Sequence, residues 1–249
     1  MTMGEIKGRT FDLLTLGQVL LRLSPPDNDR LSRGDTFVKQ VGGAELNVAV
    51  GASLLGLRTG VISKLPSHDI GSFMKGKIRS FGVSDDFFMY DDSPSARVGI
   101  YYYENGAYPR KPKVIYDRMN SSFFSLNIDE IPKEVYTASK CFHTTGITLA
   151  LSPQIRETTI EMIKRFKEAG TLVSFDVNFR GNLWSGDEAR ECIERILPYV
   201  DIFFCSEDTA RLTFLKNGSA KEMMKSFTKE YPISIVASTQ RIVHSPKRH

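Results

Sequence analysis

Asp176, Asn178 and Arg180 sit two residues apart in the run Asp176-Val-Asn-Phe-Arg-Gly-Asn-Leu-Trp184. A carboxylate, an amide and a guanidinium so placed can bind a polar, charged small molecule. Arg grips carboxylates and phosphates through paired hydrogen bonds, and an amide both donates to and accepts from hydroxyls. On an extended backbone a spacing of two aims all three side chains to one side. The preceding Thr171-Leu-Val-Ser-Phe175 is apolar and rich in β-formers, so it reads as a buried strand. Parallel α/β sheets bind ligands beyond the C-terminal ends of such strands. The competing reading has Asp176 capping a turn and Arg180 as a solvated charge; the grouping of the three, with Trp184 following, favours a cleft.

Two further groups carry similar chemistry. Gly42-Gly43-Ala44-Glu45-Leu46-Asn47 joins a predicted strand to a predicted helix. Paired glycines let a ligand approach the backbone, and the free amides of a helix start suit anions and hydroxyls. The blander alternative is a tight turn that needs positive φ. Tyr116 and Arg118 share one face of another predicted strand, with Tyr101 on the strand before it. A phenol and a guanidinium together suit a hydroxylated carboxylate, although cross-strand aromatic packing accounts for at least two of Tyr101, Tyr102 and Tyr103. The chain contains no Gly-x-Gly-x-x-Gly and no Gly-x-x-x-x-Gly-Lys-Ser/Thr, so dinucleotide and P-loop readings lack support.

The elements that must position these residues alternate. Strands are predicted at 11–17, 19–23 and 36–41, a helix over 44–55, a strand over 59–65 and a helix over 70–81. The runs 96–104 and 113–118 are β-type with only turn material between them, which predicts an antiparallel ribbon. From residue 131 onward strand and helix alternate again: strands at 141–145, 171–175, 201–205 and 233–237, and helices over 153–169, 187–197, 207–215 and 220–231. Such alternation predicts an α/β fold with a largely parallel sheet and helices on both faces, with the ribbon as an inserted β-flap.

With 249 residues, 41% hydrophobic and 25% charged, the chain has the composition of a soluble globular protein. A net charge of +4 is spread thinly, with clusters only at Arg110-Lys111-Lys113 and Lys247-Arg248, so nucleic acid is not an expected partner. Cys141, Cys192 and Cys205 lie far apart in apolar company and read as buried reduced thiols; the four histidines are scattered, which disfavours a metal cluster. No stretch reads as a signal peptide or a bilayer span, so membrane partners are not expected and the cytoplasm is the expected location.

Taken together, Leu14-Thr-Leu-Gly17, the Gly42–Ala49 segment with Gly56 and Gly71 beyond it, and the Asp176–Trp184 run resemble the ribokinase-like, PfkB-type carbohydrate kinases. Within that family they are most similar to the branch acting on 2-keto-3-deoxygluconate. The resemblance spans residues 1–249 as a single ribokinase-like three-layer α/β domain, with a small β-sheet lid contributed by about 19–42 and 96–118. It implies ATP-dependent phosphorylation of a sugar acid's terminal hydroxyl with Mg2+, and homo-oligomers formed through the lid. It implies that Gly43, Asn47, Tyr101, Tyr116, Arg118 and Arg180 hold the substrate, and that Asn178, Arg180, Ser206 and Thr239 meet the nucleotide. Glu207 would act on the metal indirectly, although Ser206-Glu207-Asp208 replaces the usual Asn-x-x-Glu. The family's Gly-Ala-Gly-Asp segment, which brings the catalytic aspartate, would lie beyond His249. The chain is therefore expected to be a kinase with its C-terminal part missing, without a catalytic residue and inactive by itself. A kinase for fructose or ribose, or a non-catalytic sugar-acid binder, is the alternative.

Overall fold

The computed structural model describes residues 8–239. The first half runs β1 (Phe11–Leu16), β2 (Leu20–Ser24), β3 (Val38–Gly42), α1 (Ala44–Leu54), β4 (Thr59–Pro66), α2 (Asp69–Ser80), β5 (Val83–Ser84), β6 (Phe88–Asp91), β7 (Gly99–Glu104) and β8 (Lys113–Asp117). The second half runs α3 (Val135–Ala138), β9 (Ser139–Thr145), α4 (Gly146–Ala150), α5 (Pro153–Glu168), β10 (Leu172–Asp176), α6 (Gly186–Glu194), β11 (Ile202–Phe204), α7 (Glu207–Leu212), α8 (Ala220–Glu230) and β12 (Ile235–Ala237).

Among the described residues the large sheet has eight strands in the order β12-β11-β10-β9-β1-β4-β5, with β6 pairing off β4. Its pairings are parallel throughout. The chain builds outward from β1 in one direction through β4, then returns and builds from β9 in the other. The strand order thus reverses between β1 and β9, and that crevice is where parallel sheets place ligands. Local chemistry sets the helices that cover it. The long helix α5 starts on Ser152, whose Oγ accepts from the Ile155 amide, with Pro153 at its first position. Ile155, Thr159, Met162, Ile163 and Phe166 form its buried stripe. Phe166 stacks on Phe142 of β9 with ring centroids 4.1 Å apart. Each such buried side chain stabilises the fold by roughly 1.5–3 kcal/mol.

A second sheet of four strands, β3-β2-β7-β8, stands over the crevice. It is mixed: β2 pairs antiparallel with β3 and parallel with β7, and β7 pairs antiparallel with β8. The expected ribbon is present, and its first strand adds the parallel pairing that joins it to the 20–42 segment. Leu21, Val98 and Ile100 seat this sheet on a smaller apolar cluster shared with β4, α1 and α2.

The structure differs from expectation at two places. Strand β10 stops at Asp176, so Asp176, Asn178 and Arg180 do not share one face of an extended strand. The Asp176 carboxylate accepts the Asn178 amide at 3.0 Å, and Asn178 takes φ 38°, a turn that Asn tolerates. The short strands β5 and β6 and the one-turn helix α4 were not expected, being too brief for a periodic pattern. Residues 240–249, including the basic Lys247-Arg248, lie outside the described residues.

Candidate functional site

The cleft is built on the ends of β1 and β9. Glu45, at the second position of α1, is buried, and its Oε1 accepts hydrogen bonds from Thr145 Oγ1 at 2.6 Å and Thr148 Oγ1 at 2.8 Å. Thr145 closes β9 and also caps α4, its Oγ1 accepting the Ile147 amide. One carboxylate therefore ties together the starts of α1 and α4 and the end of β9. Gly17, just past β1, completes the contact: a Cβ there would fall on the Glu45 carboxylate. Burial raises the Glu45 pKa, with the two threonine hydrogen bonds pulling the other way.

Gly43 precedes α1 with φ 149°, and a Cβ on it would lie 2.7 Å from the Gln18 carbonyl oxygen. Glycine is required there on both counts. Gln18 is buried and its amide is fully used: Nε2 donates to Ser121 Oγ at 2.6 Å and to the Arg118 carbonyl at 3.1 Å, while Oε1 accepts from Arg118 Nε at 2.8 Å. That clamp holds Arg118 beside Tyr116, its guanidinium carbon 5.6 Å from the ring centroid. Desolvation lowers the Arg118 pKa, while Glu45 and Tyr116 push it back up.

Gly43, Asn47, Tyr101, Tyr116, Arg118 and Arg180, all singled out in the sequence, line one cavity of 280 Å³ under the small sheet. Gln18, Arg22 and Glu45 line it too and were missed. An acid inside a glycine-led helix start, and a Gln directly after a strand-ending glycine, were the available signals. Tyr101 and Tyr103 face this cavity, whereas Tyr102 turns the other way and packs edge-on against Phe37. Burial raises the Tyr101 pKa.

A second cavity, of 360 Å³, opens beyond β10, β11 and β12. Asp176, Asn178, Arg180, Ser206 and Thr239 supply its polar wall, and Phe179, Phe204 and Ala237 an apolar one. Burial raises the Asp176 pKa; the Asn178 amide and Arg180 oppose that shift. Cys205 also borders it, but burial pushes its thiol up to about 12, so it is no nucleophile. Glu207 is not brought into this cavity. It borders a groove to the side with Lys221 and Thr239, and its carboxylate accepts from Arg211 Nη2 at 3.1 Å. Among the described residues no group of three or more His, Cys, Asp or Glu could hold a metal ion. A third cavity, also 280 Å³ and lined by Arg118, Ile147 and Asn182, shares Arg118 and Ile147 with the cavity under the lid. Arg180 lines all three.

The parallel α/β sheet thus carries one cavity roofed by the small β-sheet and another beyond β10–β12, with Arg180 on the wall of both. The chain belongs to the pfkB family of carbohydrate kinases, which it matches over residues 10–240. It is 36% identical over 231 residues to 2-dehydro-3-deoxygalactonokinase of Haloferax volcanii, covering 93% of this chain and 72% of that protein. It is 31% identical over 175 residues to 2-dehydro-3-deoxygluconokinase of Bacillus subtilis, covering 70% of this chain and 53% of that one. The crystal structure of 2-dehydro-3-deoxygluconokinase from Thermotoga maritima superimposes with a TM-score of 0.85 at 31% identity, covering 92% of this chain and 72% of its own. The ribokinase-like fold expected from the sequence is thereby established. No described helix is long and apolar enough to cross a membrane.

Proposed function

We propose that the cavity under the lid binds a 2-keto-3-deoxy sugar acid, with 2-keto-3-deoxygluconate as the reference ligand, and that the cavity beyond β10–β12 binds ATP. The observation that carries this reading is Arg180, which lines both cavities and so stands where a transferred phosphoryl group would pass. Arg118 with Tyr116 and Tyr101 would take the carboxylate, while the Gly43 backbone and Asn47 take hydroxyls. On the other side Asn178, Ser206 and Thr239 offer polar partners to phosphates and ribose, and Phe204 offers an apolar face to a base. The wall is therefore compatible with a nucleotide. Magnesium, the nucleotide's usual companion, neutralises charge on the phosphates and is held largely by them and by water; Asp176 is the carboxylate in reach. The alternatives are a kinase for a neutral sugar such as fructose or ribose, and a sugar-acid binder without catalysis. Three arginines around one cavity support the acid.

The described residues are better provided for holding ligands than for the proton transfer. Three carboxylates border the cleft, and each is engaged: Glu45 by two threonines, Asp117 by Arg97 at 2.8 Å, and Asp176 by the Asn178 amide. Phosphoryl transfer to an alcohol uses a carboxylate that accepts the hydroxyl proton. We therefore expect these 249 residues to bind sugar acid but to transfer phosphate poorly. Exposed Phe37, Val38 and Ile115 on the lid are compatible with self-association there.

Calorimetry on the chain tests the binding reading. Ketodeoxygluconate should bind well ahead of fructose or ribose, and Arg118→Ala should cost roughly 1.5–3 kcal/mol for the acid alone. Equal affinity for neutral sugars would sink it. A coupled assay with ATP and magnesium tests the second point, where brisk turnover would show that a described carboxylate does serve as base.

A further inference from the structure

Arg22 was not among the residues expected from sequence. It lies on β2 directly opposite Tyr101 of β7, which in turn lies opposite Tyr116 of β8. Side chains of directly paired residues point to the same face, so Arg22, Tyr101 and Tyr116 form one row across the lid's ligand side. Arg118 belongs to a different row. It follows Asp117, the partner of Ile100, and its guanidinium is drawn to Gln18 at the inner end of the cavity. The Arg22 guanidinium is drawn the opposite way. Its carbon sits 4.3 Å from the centroid of Tyr103, and its Nε donates to Ser24 Oγ at 2.9 Å.

The lid therefore presents two arginine–tyrosine pairs rather than one: Arg118 with Tyr116 at the inner end, and Arg22 beside Tyr101 and Tyr103 at the outer end. A guanidinium stacked on an aromatic ring keeps its in-plane N–H groups free for an anion. Neither Arg22 nor Arg118 forms an ion pair with any described carboxylate, and Glu45 is the one acid on the cavity wall. Arg118 has Glu45 nearby on the wall, whereas Arg22, held in place and facing the cavity, has no ion-pair partner among the described residues and leaves that role to the ligand.

We propose that Arg22 is a specificity-determining residue of the sugar site, a second cationic contact that selects acidic over neutral sugars. This rests on the sugar-acid reading given above and adds to it the outer half of the recognition surface.

The test is calorimetric titration of the unaltered chain, Arg22→Gln and Arg22→Lys with ketodeoxygluconate and with fructose, each protein first checked by a thermal melt. Arg22→Gln should weaken ketodeoxygluconate at least about tenfold, as loss of a charge-assisted hydrogen bond does, and leave fructose unchanged. Arg22→Lys should recover part of the loss, because it keeps the charge without the planar fork. Unchanged acid binding in Arg22→Gln, or an equal fall for both sugars, would overturn the assignment even with Arg118→Ala behaving as expected. If the unaltered chain does not distinguish the two sugars and Arg118→Ala is silent as well, the sugar-acid reading itself falls and this inference with it.

Discussion

On the lid side of the cleft, the walls are tied to one another before any ligand arrives. Glu45 is held by two threonines, Gln18 spends every polar atom on Arg118 and Ser121, and Gly43 packs its bare Cα against a backbone carbonyl. On the β10–β12 side the side-chain hydrogen bonds among the described residues are local, Asp176 to Asn178 and Ser206 to Thr209, and join no distant elements. Phe204 is 40% exposed, Ser206 and Thr239 face solvent, and among the described residues β12 pairs with β11 alone, over three residues. A preorganised wall spends little entropy on binding, whereas an open one must be ordered by its ligand. On the reading proposed above, selection of the sugar falls to the preorganised wall and binding of the nucleotide to the more open one.

Three measurements bear on that contrast. The largest effect concerns the sheet that carries the cavities, where His143 of β9 is buried with Nδ1 2.9 Å from Ser174 Oγ. Burial pushes its imidazole down to about 4 from its ordinary 6.5. The unfolded chain takes up the proton near 6.5 and the folded one only near 4. Stability from this group is thus complete above pH 6.5 and is lost as the pH falls toward 4, by about 3 kcal/mol. Denaturant titrations between those pH values should show the slope, and His143→Asn should flatten it. An identical slope in the variant would place the acid sensitivity elsewhere.

Gly43→Ala should come next. Alanine at φ 149° with a carbonyl 2.7 Å from its Cβ should cost roughly 2–3 kcal/mol of stability, with sugar affinity falling in parallel. A melting temperature equal to that of the unaltered chain would mean that the lid side is more pliable than its packing suggests. The smallest effect belongs to Ser206→Ala, which removes the cap of a six-residue helix and should cost about 1 kcal/mol or less. ATP affinity should drop modestly and sugar affinity not at all. A larger effect on sugar than on ATP would erase the difference between the two sides.

Much of the lid-side cavity was legible in the chain because its residues announce themselves locally. Gly42-Gly43 before a helix, and Tyr116-x-Arg118 on a strand, need only short-range rules, and all six residues expected on the sugar meet in one cavity. The Asp176–Arg180 run shows the limit. The three residues do line one cavity, but through an Asp176–Asn178 turn rather than the alternation of a strand that the spacing predicts. Arg22 and Glu45 escaped notice because their roles depend on register between distant strands and helices. Opposition of Arg22 to Tyr101, and of Thr145 to Glu45, exists only after the chain has folded. Short edge strands such as β5 lack the length for any periodic signal.

Arg180 has a further consequence as a wall of both cavities. If a ligand on either side fixes the rotamer of that exposed, flexible side chain, the cost of ordering it, up to about 2 kcal/mol, is met once rather than twice. Two occupants that want the same rotamer then help each other, and two that want different rotamers exclude each other. Thermodynamic reciprocity requires the factor to be identical whichever one arrives first.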